Sequence, residues 1–126
     1  MEERKFLKLS DIESYRISFH LSNHIWDVVL NWSHLAQNTV GEQFIRASDS
    51  VSANIAEGFG RYGKKDKIRF YRISYASVME SLDWNEKARV RKIINKQQYD
   101  FIFNELQKLP KSIHSLIKFT NEKLTI

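Results

Sequence analysis

Apolar residues recur at steps of three and four along four long stretches of this chain, and each stretch predicts an amphipathic helix. The first, from about Asp11 to Trp32, sets Ile12, Tyr15, Phe19, Trp26 and Val29 on one line, widened by Ile25, Val28 and Trp32. The second, from about Val40 to Phe59, aligns Phe44, Val51, Ile55 and Phe59. There Ala47, Ser48, Ser52, Ala53 and Ala56 keep the helix slim enough for a close neighbour. The third starts near Lys64, continues to about Ile93 and carries Ile68, Tyr71, Tyr75, Val78 and Leu82. The fourth repeats Tyr99, Ile102, Leu106, Leu109, Ile113 and Leu116. Its period of about 3.5 residues suits left-handed packing of nearly parallel helices.

Three capping boxes punctuate these stretches: Ser10 with Glu13, Thr39 with Glu42, and Asn95 with Gln98. Each offers an oxygen acceptor at a helix start and a reciprocal Glu or Gln three residues on, Asn being the least typical of the three caps. Pro110 lies inside the fourth pattern, where a missing amide donor predicts a kink or a local split. No segment alternates with period two between turn residues, so no sheet is expected. The pattern predicts one all-α domain over residues 1–126, an antiparallel up-down-up-down four-helix bundle with short joins.

Composition is consistent with that picture. A 126-residue chain that is 42% hydrophobic and 13% aromatic can bury one core. One proline and four glycines leave few breaks. No apolar run approaches the roughly 20 residues that cross a bilayer. Met1-Glu2-Glu3-Arg4-Lys5 is charged and leads into no apolar signal core. The absence of cysteine excludes disulfides and thiolate metal sites. These features fit a cytoplasmic protein with no membrane partner.

Charge changes the picture more. Residues 61–96 hold eleven Lys/Arg against four Asp/Glu, whereas the other ninety hold nine against eleven. The net charge of +5 therefore belongs to one segment. Such a concentrated positive field suits a polyanion, whose phosphates release counterions on contact. A solvated helix face that only aids solubility is the plainer explanation.

That segment opens on a glycine pattern. Gly58-x-Gly60-x-x-Gly63 matches the dinucleotide fingerprint, and Gly58 to Lys65 nearly spells a P-loop. Both motifs need a strand entering the glycine turn, and here a helix enters. The P-loop hydroxyl is also replaced by Lys65. The glycines read better as a helix–helix corner, with Gly58 or Gly60 ending one helix in the left-handed conformation. Arg61, Lys64, Lys65, Arg69 and Arg72 then become sequence-tolerant phosphate contacts. Phe70 and Tyr71 could stack on bases, although Ile68, Tyr71 and Tyr75 already fall on the core line. A second basic cluster, Lys87, Arg89, Arg91 and Lys92, lies about 36 Å further along the third helix. One compact ligand cannot touch both clusters; an extended nucleic acid or a ring of subunits can.

Asn54 and Glu57 lie on a polar line of the second helix with Arg46, Ser50 and Arg61, and Glu57 is spaced to pair with Arg61. This line is either a solvated face or a polar helix or subunit contact. His20 and His24 have metal-ligand spacing, but the third ligand and catalytic glutamate of a zincin helix are absent, so no metal or cofactor is expected. Glu80 and Asp83 read as ordinary surface acids, and no catalytic triad follows from the spacing.

The block from Gln43 to Gly58, with its Ser-Val-x-Ala-Asn-Ile-Ala-Glu-Gly run, and the stretches Lys64–Tyr75 and Ser77–Ser81 resemble a known family. It is the small bacterial four-helix-bundle proteins encoded in intervening sequences of 23S ribosomal RNA genes. The resemblance implies a subunit that assembles into a homopentameric ring and has a role with RNA. It also extends to the accessory variability determinant of diversity-generating retroelements, which pairs with a reverse transcriptase. Asn54, Glu57 and Gly58 are the family-like positions, candidates for a subunit contact. The expected function is a non-enzymatic oligomer that binds structured RNA or other nucleic acid through its basic surface. The alternative is a protein-interaction scaffold or accessory subunit without RNA affinity of its own. A nucleotide-hydrolysing protein dependent on Lys64 is the third.

Overall fold

The computed structural model describes residues 8–124, so the charged start Met1–Lys5 lies outside it. After a 3-10 turn at Leu9–Asp11 come α1 (Glu13–Val29), a one-turn α2 (His34–Ala36) and a π turn at Gln37–Gly41. The π turn runs straight into α3 (Glu42–Gly60), followed by α4 (Lys64–Val90), α5 (Lys96–Gln107) and α6 (Leu109–Lys123). The described residues contain no strand. The result is four long helical arms: α1, α3 with its lead-in, α4, and α5 with α6.

Helix α1 packs on α3, α3 on α4, and α4 on α5 and α6, which close back onto α1. Ile12 and Ser14 from the start of α1, Phe59 from the end of α3, Lys67 and Tyr71 from the start of α4, and Thr120 from the end of α6 line one cavity of about 430 Å³. Alternating starts and ends at one pole mean that successive arms reverse direction, as expected of an up-down-up-down bundle. Phe44, Val51, Ile55, Tyr71, Val78, Ile102, Leu106, Leu109 and Ile113 form the fully buried centre. The fourth-arm stripe thus survives Pro110. The proline splits that arm at Lys108 and sits in the first turn of α6, where its missing N–H costs no helix bond.

Of the three capping boxes, only the least typical one forms. Asn95 Oδ1 accepts from the Gln98 amide at 2.7 Å, and Gln98 Oε1 accepts from the Asn95 amide at 3.3 Å. Ser10 lies in the 3-10 turn, and α1 starts at Glu13 with no side-chain cap. Thr39 is inside the helical lead-in, its hydroxyl donating to the Leu35 carbonyl at 2.7 Å. Ser33 is the cap instead, accepting from the Ala36 amide, so the second arm begins about one and a half turns before Val40.

The first-arm stripe is rotated from its expected position. Phe19 and Trp26 are 45% and 50% exposed, whereas Ser14, Ser18 and Ser22 are buried beside Leu21, Ile25 and Val28. Small side chains bring α1 closer to its neighbours than aromatic rings would. The Ser18 hydroxyl donates back to the Ser14 carbonyl at 2.7 Å, so that hydroxyl enters the core satisfied. A similar serine seam joins α3 to α4: Ser74 donates to the Val51 carbonyl at 2.7 Å and Ser77 to the Ser50 hydroxyl at 2.9 Å.

Candidate nucleic-acid interface

The corner between α3 and α4 is closed by a lysine, with no described glycine in the left-handed region. No described glycine has a positive φ, and α3 ends on Arg61 in an extended conformation. This corrects the expected role of Gly58 and Gly60. The Lys67 ammonium donates to the Phe59 carbonyl at 2.8 Å, satisfying an acceptor at the α3 terminus, and lies 3.4 Å from the Gly58 carbonyl, which also accepts from the Arg61 amide. Burial lowers the Lys67 pKa. Gly58 is required for another reason. A Cβ there would stand 2.6 Å from Tyr71 Cε1 and 3.0 Å from the Lys67 carbonyl oxygen. Tyr71 lies flush against that gap, and burial pushes its hydroxyl up to about 12.

Most of the expected phosphate contacts at this corner already have partners. Arg61 pairs with Glu57 at 2.8 Å, as the i,i+4 spacing predicts, and with Asp66 at 3.5 Å. Arg69 pairs with the same Asp66 at 3.0 Å. Both guanidinium groups also lie over the Phe70 ring, at 4.6 and 4.4 Å from its centre. Phe70 is therefore a platform for the protein's own arginines, and Tyr71 is a core residue. Lys64 donates to the Asn121 and Leu124 carbonyls, each at 3.2 Å, and caps α6. Lys65 is exposed and makes no hydrogen bond or ion pair with the described residues.

Arg72, one turn beyond Arg69, faces different surroundings. It lines a groove of about 560 Å³ between α4 and α6, with Ile68 and Tyr75 on its own helix and His114, Ile117, Lys118 and Asn121 opposite. Neither Arg72 nor Lys118 forms an ion pair with the described residues, and no carboxylate is among the lining groups. The Tyr75 and His114 rings lie 5.0 Å apart at 45°. Residues 68, 72 and 75 share one face of α4, and 114, 117, 118 and 121 one face of α6, by simple helical spacing. Sequence reading reached Arg72 but not His114, Lys118 or Asn121. Their facing partner is set by tertiary packing, and the one signal available was their own three- and four-residue spacing.

At the far end of α4 the second cluster is also partly neutralised. Lys87 pairs with Asp83 and stands 4.6 Å over the Trp84 ring, and Arg89 pairs with Glu86. Hydrogen bonds from Arg89 and Tyr99 hold the Glu86 carboxyl below its ordinary value. Arg91 and Lys92 are exposed and unpaired among the described residues. Lys92 adopts φ 59°, and its amide and that of Ile93 bond the Arg89 and Ala88 carbonyls. This is a Schellman ending with lysine where glycine is usual.

Asn54 donates to the Ser50 carbonyl and hydroxyl, both at 2.8 Å, and Ser50 in turn receives Ser77 of α4. The family-like trio thus divides: Asn54 joins the α3–α4 seam, Glu57 holds Arg61, and Gly58 admits Tyr71. His20 is exposed, and His24 packs on Phe101 at 4.6 Å between ring centres. No group of three or more His, Cys, Asp or Glu with metal-binding geometry occurs among the described residues. None of the described helices is long and apolar enough to cross a membrane.

The family model described as 23S rRNA-intervening sequence protein matches residues 10–115. Among solved structures, the chain is similar to a protein of unknown function from the S23 ribosomal protein family of Bacteroides thetaiotaomicron VPI-5482. The likeness has a TM-score of 0.75 at 23% identity and covers 83% of this chain and 98% of that one. At such identity it bears on the fold alone. No curated protein matches the chain.

Proposed function

The chain belongs to the 23S rRNA-intervening sequence protein family, and on that footing we propose a non-enzymatic, self-assembling bundle that binds structured RNA through its basic surface. The observation that carries this reading is the set of cations left without internal partners. Lys65 and Arg72 stand on α4 and Lys118 on α6 without an ion pair among the described residues, while neighbouring cations are engaged in ion pairs or helix capping. Unpaired cations release a polyanion's counterions without first breaking an internal contact.

Self-assembly, up to the pentameric ring of the family resemblance, is supported by α1. Phe19, Trp26 and Leu30 follow one face of that arm at 45%, 50% and 56% exposure. Large apolar groups in an exposed row suit burial against another surface. The same row favours the scaffold reading, in which the ring engages a protein partner and has no RNA affinity of its own.

Fluorescence anisotropy with a labelled RNA stem-loop across a salt series tests the first reading, with light scattering on the same samples. The expected result is a multimer whose log affinity falls linearly with log salt. A multimer with no RNA binding at low salt supports the scaffold instead, and a monomer removes self-assembly.

A further inference from the structure

The α4–α6 groove holds two unpaired cations, two adjacent rings and a side-chain amide in one concave space without a carboxylate. We propose that it seats one unpaired nucleotide, with the phosphate on Arg72 and Lys118 and the base against the Tyr75–His114 pair. This rests on the reading that the protein binds RNA and names where and how it does so.

Each part of the ligand meets a matching group. Arg72 and Lys118 approach from opposite helices, so a phosphate between them is held from two sides. Tyr75 is half-buried and His114 exposed, so the pair offers an aromatic wall with an open side. Base stacking on such a wall is sequence-tolerant, because every base presents a π face. Ile68 and Ile117 supply apolar surface beside the rings. The Asn121 side-chain amide makes no hydrogen bond within the described residues, which leaves both a donor and an acceptor for a base edge. A volume of about 560 Å³ lies within the roughly 300–1,000 Å³ of small-ligand sites. A base inside a duplex has both faces covered by stacked neighbours and its edge engaged in pairing, so the groove selects a loop, bulge or single strand over a duplex. The same moiety exists as a free nucleoside monophosphate, and the experiment separates the two sources.

The test uses the full chain with three probes: a single-stranded oligoribonucleotide, a fully paired RNA of equal length, and adenosine 5′-monophosphate. Binding is compared for wild type, His114→Ala, Tyr75→Leu and Arg72→Gln, with thermal melts confirming the fold. His114 is exposed, so its variant keeps the bundle even if Tyr75→Leu does not. The expected result is tighter binding of the single strand than of the duplex. His114→Ala or Tyr75→Leu should weaken the single strand by about 5- to 150-fold, the range for one stacked base. Arg72→Gln should lower the salt slope by about 0.7. RNA binding that is identical in wild type and all variants overturns the groove while leaving the RNA reading in place. Monophosphate binding sensitive to His114→Ala, with no RNA binding, keeps the groove as a nucleotide site and overturns the RNA reading. Silence with all three probes overturns both.

Discussion

The α3–α4 corner and the α4–α6 groove lie one helical turn apart on α4, and they use the same residue types for opposite ends. At the corner, Arg61 and Arg69 share Asp66, Lys67 closes α3 and Lys64 closes α6. In the groove, Arg72 and Lys118 have no such partners among the described residues. A count of positive charge along the chain marks the corner cations and Arg72 alike and passes over Lys118. What separates them is the supply of internal acceptors. Two carboxylates and the capped carbonyls of two helix ends are engaged at the corner, whereas no carboxylate lines the groove. The corner therefore holds the fold together, and the groove is left for a ligand.

The largest effect that tests the corner's structural role is its response to alkali. The Tyr71 hydroxyl holds its proton to about 12 in the fold but to about 10 when unfolded. Its contribution is complete below pH 10 and is lost as pH rises toward 12, because only the unfolded chain releases the proton in that window. Two pH units correspond to at most about 3 kcal/mol. Urea unfolding at pH 9 and pH 12 should show this loss in wild type and a smaller one in Tyr71→Phe. Equal losses in both proteins would detach Tyr71 from the effect.

Next come two glycines in the same turn of α3. Gly58→Ala should cost about 1–3 kcal/mol, since the new methyl meets the Tyr71 ring at 2.6 Å. Gly60→Ala should add about 0.5–1 kcal/mol, since nothing lies within 4 Å and a helical glycine gives way to alanine. Thermal melts of the two variants should move in opposite directions. A smaller effect belongs to Lys64→Met, which uncaps α6 and should cost about 1 kcal/mol while leaving RNA affinity nearly unchanged. A large affinity loss with an unchanged melt would place Lys64 in the groove's role instead.

Much of the fold is legible in the residue pattern, because helical periodicity and short joins leave few alternatives. The fourth-arm stripe and the Asn95 cap follow directly from spacing. The first arm does not, since hydrophobicity ranks Phe19 and Trp26 above Ser14 and Ser18. Close packing favours the small serines, and the Ser18 hydroxyl bonds back to its own helix. The candidate site is legible only in part for a related reason. Sequence identifies Arg72 as a cation, but its availability depends on α6, whose Lys118 and His114 reach it from more than 40 positions away. The Lys64 cap depends on the same tertiary contact.

The most direct measurement is a salt series of single-stranded RNA binding by two double variants, Arg72→Gln/Lys118→Gln and Arg61→Gln/Arg69→Gln. The groove pair should lower the slope of log affinity against log salt by about 1.4, two phosphate contacts' worth, and the corner pair by less than half of that. A groove pair that binds like wild type, beside a corner pair that has lost the slope, would contradict the account.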